Sequence, residues 1–424
     1  MSVVPLSDHS ACGCDDASAA SLISVEEAVG RIESHAQPVT ETEVVAITDA
    51  LGRILASPVA ARSDLPPFSN SAMDGYAVST ASFSGSGPWY LAVQDRVPAG
   101  QVATAGVKRG AAVRIFTGAP IPQGADTVIM QERVERTAKG VLIHDRPEVG
   151  ANIRHAGEEL KCGTEILAAG TRIGTREIAA CAAAGVGQVE VNRRVRIALL
   201  VTGDEIQPAG TDLNGAGIWD VNTPMLTAAL TRPDIQLTEI VHCPDDRPQL
   251  IRLIRELSLR TDVLITSGAV SVGEEDHVKP ALNELGLKTH FSGVAIKPGK
   301  PVSFGRVGNL LWLGLPGNPL SAFVTWQLFG RALIARLTGD ASRPVKQLVK
   351  LKDDVTHKIG RAEYHPAQLL GNEAHDHRTV RCGGAVHSGR ISALPKADGL
   401  VVIPAEEDFL PSGAVVEFLP FQDC

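Results

Sequence analysis

Three consecutive acids, Glu274, Glu275 and Asp276, close a loop that carries Ser267, Gly268, Ser271 and Gly273 in the stretch DVLITSGAVSVGEEDHVKPAL, Asp262 to Leu282. A short apolar run, Val263 to Ile265, precedes the loop as a buried strand, and a helical pattern resumes at about His277. A glycine loop between strand and helix leaves backbone N–H groups free to hold an anion. The acids contradict a bare anion site, because two unit charges about 4 Å apart repel by roughly 4 kcal/mol at an effective dielectric near 20. A divalent cation resolves the conflict: Mg²⁺ is held by one or two carboxylates together with substrate phosphates. The spacing therefore points to a phosphate-bearing ligand with Mg²⁺. The bland alternative is a turn followed by a solvated helix start, where acids are favourable in any case.

Three further loops share this chemistry: Thr202-Gly203-Asp204-Glu205, Pro244-Asp245-Asp246 and Pro316-Gly317-Asn318-Pro319. Each follows an apolar run, and in an open α/β sheet ligands bind outside the carboxyl ends of the strands. Any one such loop is an ordinary turn; four on one rim, three of them acidic, are a site. Lys297 and Lys300 lie in AIKPGKPVSF, where Pro298 and Pro301 stiffen the backbone around two ammonium groups suited to a phosphate or oxyanion. Thr117-Gly118, after the strand AAVRIF, is expected to offer a hydroxyl and a free N–H to an oxyanion. Arg154 in NIRHAGEEL is a further anion-binding candidate, and Asp74-Gly75 in SNSAMDGYAV reads as a turn or a site member.

The elements that must position these residues fall into blocks. Residues 195–340 alternate strands and helices (VRIALLV, NTPMLTAALT, QLTEIVH, RPQLIRLIREL, DVLIT, HVKPALNEL, LLWLGL, PLSAFVTWQLF), which predicts a doubly wound, mostly parallel α/β domain. Residues 62–156 alternate short apolar runs with Gly and Pro and predict an inserted β-rich domain. The flanks, 22–61 and 157–194, form a discontinuous linker domain of mixed structure, opened by the capping box at Ser24-Val25-Glu26-Glu27 and containing a second short helix near Leu51 to Ala56. Residues 341–424 read as a C-terminal β domain, and 1–21 as a flexible lead.

Composition excludes several classes. A net charge of −8 without a basic block argues against a nucleic-acid groove. No run approaches the roughly 18 apolar residues of a membrane span, and the N-terminus lacks the basic and apolar regions of a secretory signal. Seven scattered cysteines, an odd number, fit a reducing cytoplasm better than a disulfide framework. The Cys12/Cys14 pair has no second pair at metal-site spacing.

Eight motifs, in order across residues 22–420, resemble molybdopterin molybdenumtransferases of the bacterial MoeA type, related to the E domain of gephyrin: SNSAMDGYAV, RIFTGAPIPQGADTVIMQE, NIRHAGEEL, VTGDEI, SGAVSVGEEDHVK, AIKPGKPVSFG, LPGNPLSAFVT and SGRISALPKADGLVVIP. The resemblance implies a four-domain homodimer with its cleft between the α/β domain and the β insertion of the other subunit. It implies the reaction of adenylated molybdopterin with molybdate and Mg²⁺ to give molybdenum cofactor and AMP. Carried over motif by motif, Glu205, Asp245 or Asp246, and Asp276 are expected to hold Mg²⁺. Ser267, Gly268, Ser271 and Gly273 are expected to hold the terminal phosphate of the pterin, and Lys297, Lys300, Thr117 and Arg154 to bind molybdate or the adenylate. Glu159, Pro316, Gly317 and Asn318 join the substrate-binding set, and Glu205, Asp276, Thr117 and Ser69 the catalytic one. Implied partners are the molybdopterin adenylyltransferase and molybdoenzyme acceptors.

Three positions depart from the family pattern: Ser69 stands where an aspartate is expected, Ala269 replaces a second glycine, and Gly157-Glu158-Glu159 lengthens an acidic side chain by one methylene. Two alternatives follow. One is adenylation of molybdopterin, which uses the same α/β domain type but not the attached β domains. The other is a non-catalytic cofactor carrier or scaffold, which Ser69 favours.

Overall fold

The computed structural model describes residues 22–268, 276–342, 346–371, 378–383 and 387–421. The chain forms two compact units, one made of residues up to Glu43, Gly52–Ile54 and everything from Asn192, the other of Val44–Leu51 and Leu55–Val191.

The first unit is built on a six-stranded sheet. Its elements are α1 (Val25–His35), β1 (Val195–Thr202), α2 (Asn222–Leu230), β2 (Ile235–Cys243), α3 (Arg247–Leu257), β3 (Val263–Ser267), α4 (Val278–Glu284), β4 (Lys288–Ser292), β5 (Ser303–Val307), β6 (Leu310–Leu315), α5 (Pro319–Thr325) and α6 (Arg331–Thr338). The strand order is β2-β1-β3-β6-β5-β4, with the first four parallel and the last two antiparallel. Alternation along the strands serves two cores, as the twofold period of a strand requires. Ile197, Leu199 and Val201 of β1 and Ile265 of β3 pack with Leu226 and Leu230 of α2, Leu320 of α5 and Leu333 of α6. Ala198, Leu200 and Leu264 face the other way, onto Leu250 and Ile254 of α3 and Leu282 of α4. This is the doubly wound arrangement expected from the sequence.

α1 differs from expectation. Ser24 caps it, accepting from the Glu27 amide at 3.1 Å, but its buried face, Ala28 and Ile32, lies in the core of the α/β sheet rather than with the linker elements. The amino end of the sheet is fastened by Asp262, which accepts from the Arg196 amide (2.8 Å) and from the Arg193 guanidinium (2.7 Å).

A second six-stranded sheet in this unit contains strands Gln347–Leu351, Ala362–Leu370, Thr379–Cys382, Gly399–Ile403 and Val415–Pro420. Its sixth strand, Ile296–Lys297, comes from the segment between β4 and β5 and runs parallel to Ala362–Leu370, with Lys297 opposite Glu363.

In the other unit, a six-stranded sheet takes Thr127–Met130, Gly75–Val78, Ala111–Ile115, Trp89–Val97, Gly140–Ile143 and Val134–Arg136 in that spatial order. Tyr76 and Val78 pack into one cluster and Ala77, with Val113 and Ile115, into another. Gly75 is required by close approach, since a Cβ there would stand 2.0 Å from the Ile129 carbonyl oxygen. Residues 50–61 and 173–191 share a separate core around Leu55, Val59, Ile173, Cys181 and Val191. The expected helix near Leu51 to Ala56 does not form. Gly52 turns the chain at φ +75°, and Leu55 is extended, its amide donating to the Thr171 carbonyl.

Candidate active site

The four parallel strands end level with one another: Thr202 is opposite Cys243, Val201 opposite Ser267, and Ser267 opposite Leu315. Their loops therefore share one rim, and the connection leaving β1 passes through α2 on one face of the sheet while that leaving β3 passes through α4 on the other. That reversal opens a crevice at the ends of β1 and β3, where such sheets bind ligands.

Glycines set the backbone of the crevice. Gly203 has φ +134°, and a Cβ there would stand 2.9 Å from Glu205 Oε2, so the carboxylate folds back over it. Gly268 has φ +93°, and its Cβ would stand 2.9 Å from the Thr202 carbonyl oxygen. A side chain at either position meets both left-handed strain and a close contact. The Gly268 amide donates to the Leu315 carbonyl at 3.3 Å, so Gly268 gives a ligand room rather than a donor. Ser271 and Gly273 lie outside the described residues, as do Glu274 and Glu275.

Acids gather on the same rim. Asp204 Oδ1 accepts from the Asp245 amide at 3.4 Å, linking the β1 and β2 loops. The Asp245 carboxyl is pushed up by burial and then by the charges of Asp204 and Glu205. Asp276 is raised further, to about 6, chiefly by burial, with Asp245 adding to the rise and Lys279 opposing it. Both Asp276 carboxyl oxygens are buried; the Lys279 amide faces them without closing a hydrogen bond of full geometry. Asp246 is different in kind: it caps α3, its Oδ1 accepting from the Gln249 amide at 2.8 Å. The structure thus separates the two sequence candidates, since Asp245 faces the other acids and Asp246 is engaged as a helix cap.

The carboxylates fit a divalent cation. A buried carboxylate whose burial outweighs its partners is costly unless a cation or proton meets it, and repelling neighbours raise that cost. Among the described residues no group of three or more His, Cys, Asp or Glu side chains is closely enough set to hold a metal alone.

On the β6 side, Pro316 is buried while Gly317 and Asn318 are exposed, and Asn318 Nδ2 donates to Ser388 Oγ at 3.1 Å. Lys297 Nζ pairs with Glu363 Oε1 at 2.8 Å, and Glu363 Oε2 lies 2.9 Å from His365 Nε2. Lys300 is half-buried and also engaged. Neither Glu363 nor Asn222, which bonds to Ser267, stands out in the sequence. Each sits in a regular element and reaches a residue far along the chain, so no local pattern marks them.

The other sequence-predicted residues belong to the second unit. Thr117 is not a free donor pair: its amide and its hydroxyl both go to Asp74 Oδ1, at 2.9 and 2.8 Å. Those two bonds, the amide first, hold the half-buried Asp74 carboxyl below its usual range. The expectation of a free N–H at Thr117 is thereby corrected: what this turn presents is a fixed carboxylate. Ser69 Oγ accepts from the Ala156 amide at 3.1 Å, and strand Ile153–Arg154 pairs with Asn70–Ser71, Arg154 opposite Asn70. The side chains of Arg154 and Glu159 are exposed. Ser69, Asp74, Thr117 and Arg154 thus lie on connected turns and strands of one unit.

Comparison with known proteins gives a consistent result over the whole chain. Residues 23–185 match the MoeA N-terminal region (domain I and II), 198–336 a probable molybdopterin binding domain, and 349–421 the MoeA C-terminal region (domain IV). A molybdopterin molybdenumtransferase of Nostoc sp. is 35% identical over 380 residues, 88% of this chain and 87% of that protein. One of Haemophilus influenzae is 32% identical, over 90% and 94%. The crystal structure of a molybdopterin biosynthesis MoeA protein from Pyrococcus horikosii superposes with a TM-score of 0.80 at 30% identity, covering 95% of this chain and 99% of that one.

Proposed function

Since the chain belongs to the molybdopterin molybdenumtransferase family, we propose that it inserts molybdate into adenylated molybdopterin and releases AMP in a Mg²⁺-dependent reaction. It is a transferase of molybdenum cofactor biosynthesis. What supports the site assignment most is the buried Asp276 carboxyl, whose acidity burial weakens first and the charge of Asp245 weakens further, against the opposing Lys279.

In this reading Asp276, with Asp245 or Glu205, would hold Mg²⁺ together with phosphate oxygens of the substrate, and Asp246 supports the loop as a cap. Bound there, the ion neutralises the acids and stabilises charge developing on the phosphate oxygens. Ser267 donates to the phosphate of the pterin, and the glycine at 268 lets that phosphate approach the backbone. Lys297 and Lys300 attract molybdate and the adenylate oxygens, with Arg154 a further cation for the same anions. Pro316, Gly317 and Asn318 close the floor of the crevice. An oxygen of molybdate or water attacks a phosphorus of the pyrophosphate in line; the new P–O bond forms as the bridging P–O bond breaks, the electron pair stays on the departing phosphate oxygen, and AMP separates from the pterin phosphate. The chain contributes mostly position and electrostatics, the largest contribution available in such transfers. Asp74, fixed by Thr117, supplies a carboxylate close in sequence to Ser69, where the family pattern has one.

The reading extends to a cytoplasmic homodimer that receives substrate from the molybdopterin adenylyltransferase and hands cofactor to molybdoenzymes. Its support is the motif resemblance, together with unpaired Cys162, Cys181, Cys243 and Cys382. The test is to mix purified protein with adenylated molybdopterin and Mg²⁺, with and without molybdate, and to measure AMP release and molybdenum retained on the pterin. Molybdate-dependent AMP release with retained metal is the expected result. Tight substrate binding with no AMP release would replace the enzyme with a carrier.

A further inference from the structure

Asn222 opens α2 and is only 8% exposed. Its Nδ2 donates to Ser267 Oγ at 2.8 Å and to the Gly317 carbonyl oxygen at 2.7 Å. A carbonyl can only accept, so the NH₂ end of the amide must be the end that faces these two partners. Both amide hydrogens are then committed. Ser267 Oγ receives one of them, which leaves the hydroxyl's own hydrogen for a different acceptor.

The two partners lie on different turns. Ser267 ends β3 and Gly317 follows β6, and these turns approach so closely that a Cβ on Gly317 would stand 3.5 Å from Gly268 Cα. Asn222 reaches them from a helix, as a tie across the mouth of the crevice. Its Oδ1 is buried with no partner among the described residues. Packing alone does not call for an amide here, because a buried acceptor left unpaired costs stability that an apolar side chain would not lose.

We propose that Asn222 is a positioning residue for the substrate's phosphate. By donating to Ser267 Oγ and to the Gly317 carbonyl it locks the two turns together and turns Ser267 into a donor aimed at a phosphate oxygen. No bond is made or broken; the amide sets which way one hydroxyl points. The inference rests on the reading of Ser267 as a phosphate ligand.

The experiment is a double-mutant cycle on the full-length protein, with kcat and KM for adenylated molybdopterin measured at saturating molybdate and Mg²⁺. Asn222→Ala and Ser267→Ala are each expected to raise that KM about tenfold, with a smaller fall in kcat, and the double variant to stay close to either single one. Effects that multiply to about a hundredfold would mean independent residues and overturn the proposal. So would an Asn222→Ala protein that loses kcat or folded fraction while KM stays at the wild-type value. If Asn222→Ala is wild-type and Ser267→Ala is impaired, the positioning role alone falls. If Ser267→Ala itself leaves KM unchanged, the phosphate assignment of Ser267 falls and takes this inference with it. Should Asn222→Ala not accumulate as folded protein, Asn222→Ser takes its place in the same cycle: its hydroxyl is too short to span both turns, so the same rise in KM is expected.

Discussion

The ammonium of Lys297 lies 2.8 Å from the carboxylate of Glu363, 66 residues further along the chain and directly opposite it on the neighbouring strand. The carboxylate is buried, His365 bonds its other oxygen, and the buried His357 ring comes within 3.9 Å. Burial alone would raise the pKa of Glu363, but the bonds from His365 and Lys297 outweigh it and bring it down to about 2. The lysine is held by a charge inside the protein, and because an ammonium carries three hydrogens this pairing is compatible with the anion-binding role proposed for it.

Glu363 makes the stability of this unit acid-sensitive. Its pKa is depressed on folding, from 4.5 to about 2, so its contribution is present above about pH 4.5 and is lost as pH falls toward 2. The shift corresponds to an upper figure of about 3 kcal/mol. Glu363→Gln should lower the urea midpoint at pH 7, with the gap to wild type closing as pH falls from 4.5. A constant gap at every pH would refute the linkage.

Asp245 and Asp246 are neighbours with different predicted losses. Asp245→Asn should raise the Mg²⁺ concentration needed for half-maximal AMP release by about tenfold or more while leaving the melting temperature within a few degrees. Asp246→Ala should cost about 1 kcal/mol of stability, the usual worth of a helix cap, and leave the Mg²⁺ requirement unchanged. A Mg²⁺ titration and a thermal melt of both variants separate the two roles; swapped phenotypes would move the metal site to Asp246.

Gly268→Ala should impair both fold and binding. The residue would have to hold φ +93° with its Cβ 2.9 Å from a backbone oxygen that cannot swing aside. A loss of about 1–3 kcal/mol is expected, with a higher KM for adenylated molybdopterin. An alanine variant with wild-type KM would show that the phosphate does not approach here.

Ser69→Asp should change turnover by less than about threefold. The wild-type hydroxyl already accepts from the Ala156 amide, a task that a carboxylate performs equally well, and Asp74 is fixed nearby in sequence by Thr117. A gain of a hundredfold would instead mark the wild-type site as degenerate.

The α/β sheet was legible because its signal is local. Its four parallel strands are runs rich in apolar residues that lead into turn-forming loops, and the helix RPQLIRLIREL spans Arg247–Leu257 as written, whereas the antiparallel strands KTHFS and SFGRV carry too many polar residues to stand out. The acid loops were legible for the same reason. Asn222 was not, since an asparagine opening a helix has an ordinary explanation and only the folded chain brings Ser267, 45 residues away, within 2.8 Å. Thr117 misled because a turn hydroxyl looks free until Asp74, 43 residues earlier, takes both its donors. The packing of α1 on the sheet was hidden too: an amphipathic helix announces which face it buries but not against what.

The strand at Ile296–Lys297 belongs by sequence to the α/β block and by hydrogen bonding to the C-terminal sheet. A boundary drawn at residue 341 therefore cuts a sheet, not a linker. Cut there, the chain would lose the pairing of Ile296–Lys297 with Ala362–Leu370 and leave the buried Glu363 carboxylate without its ammonium partner.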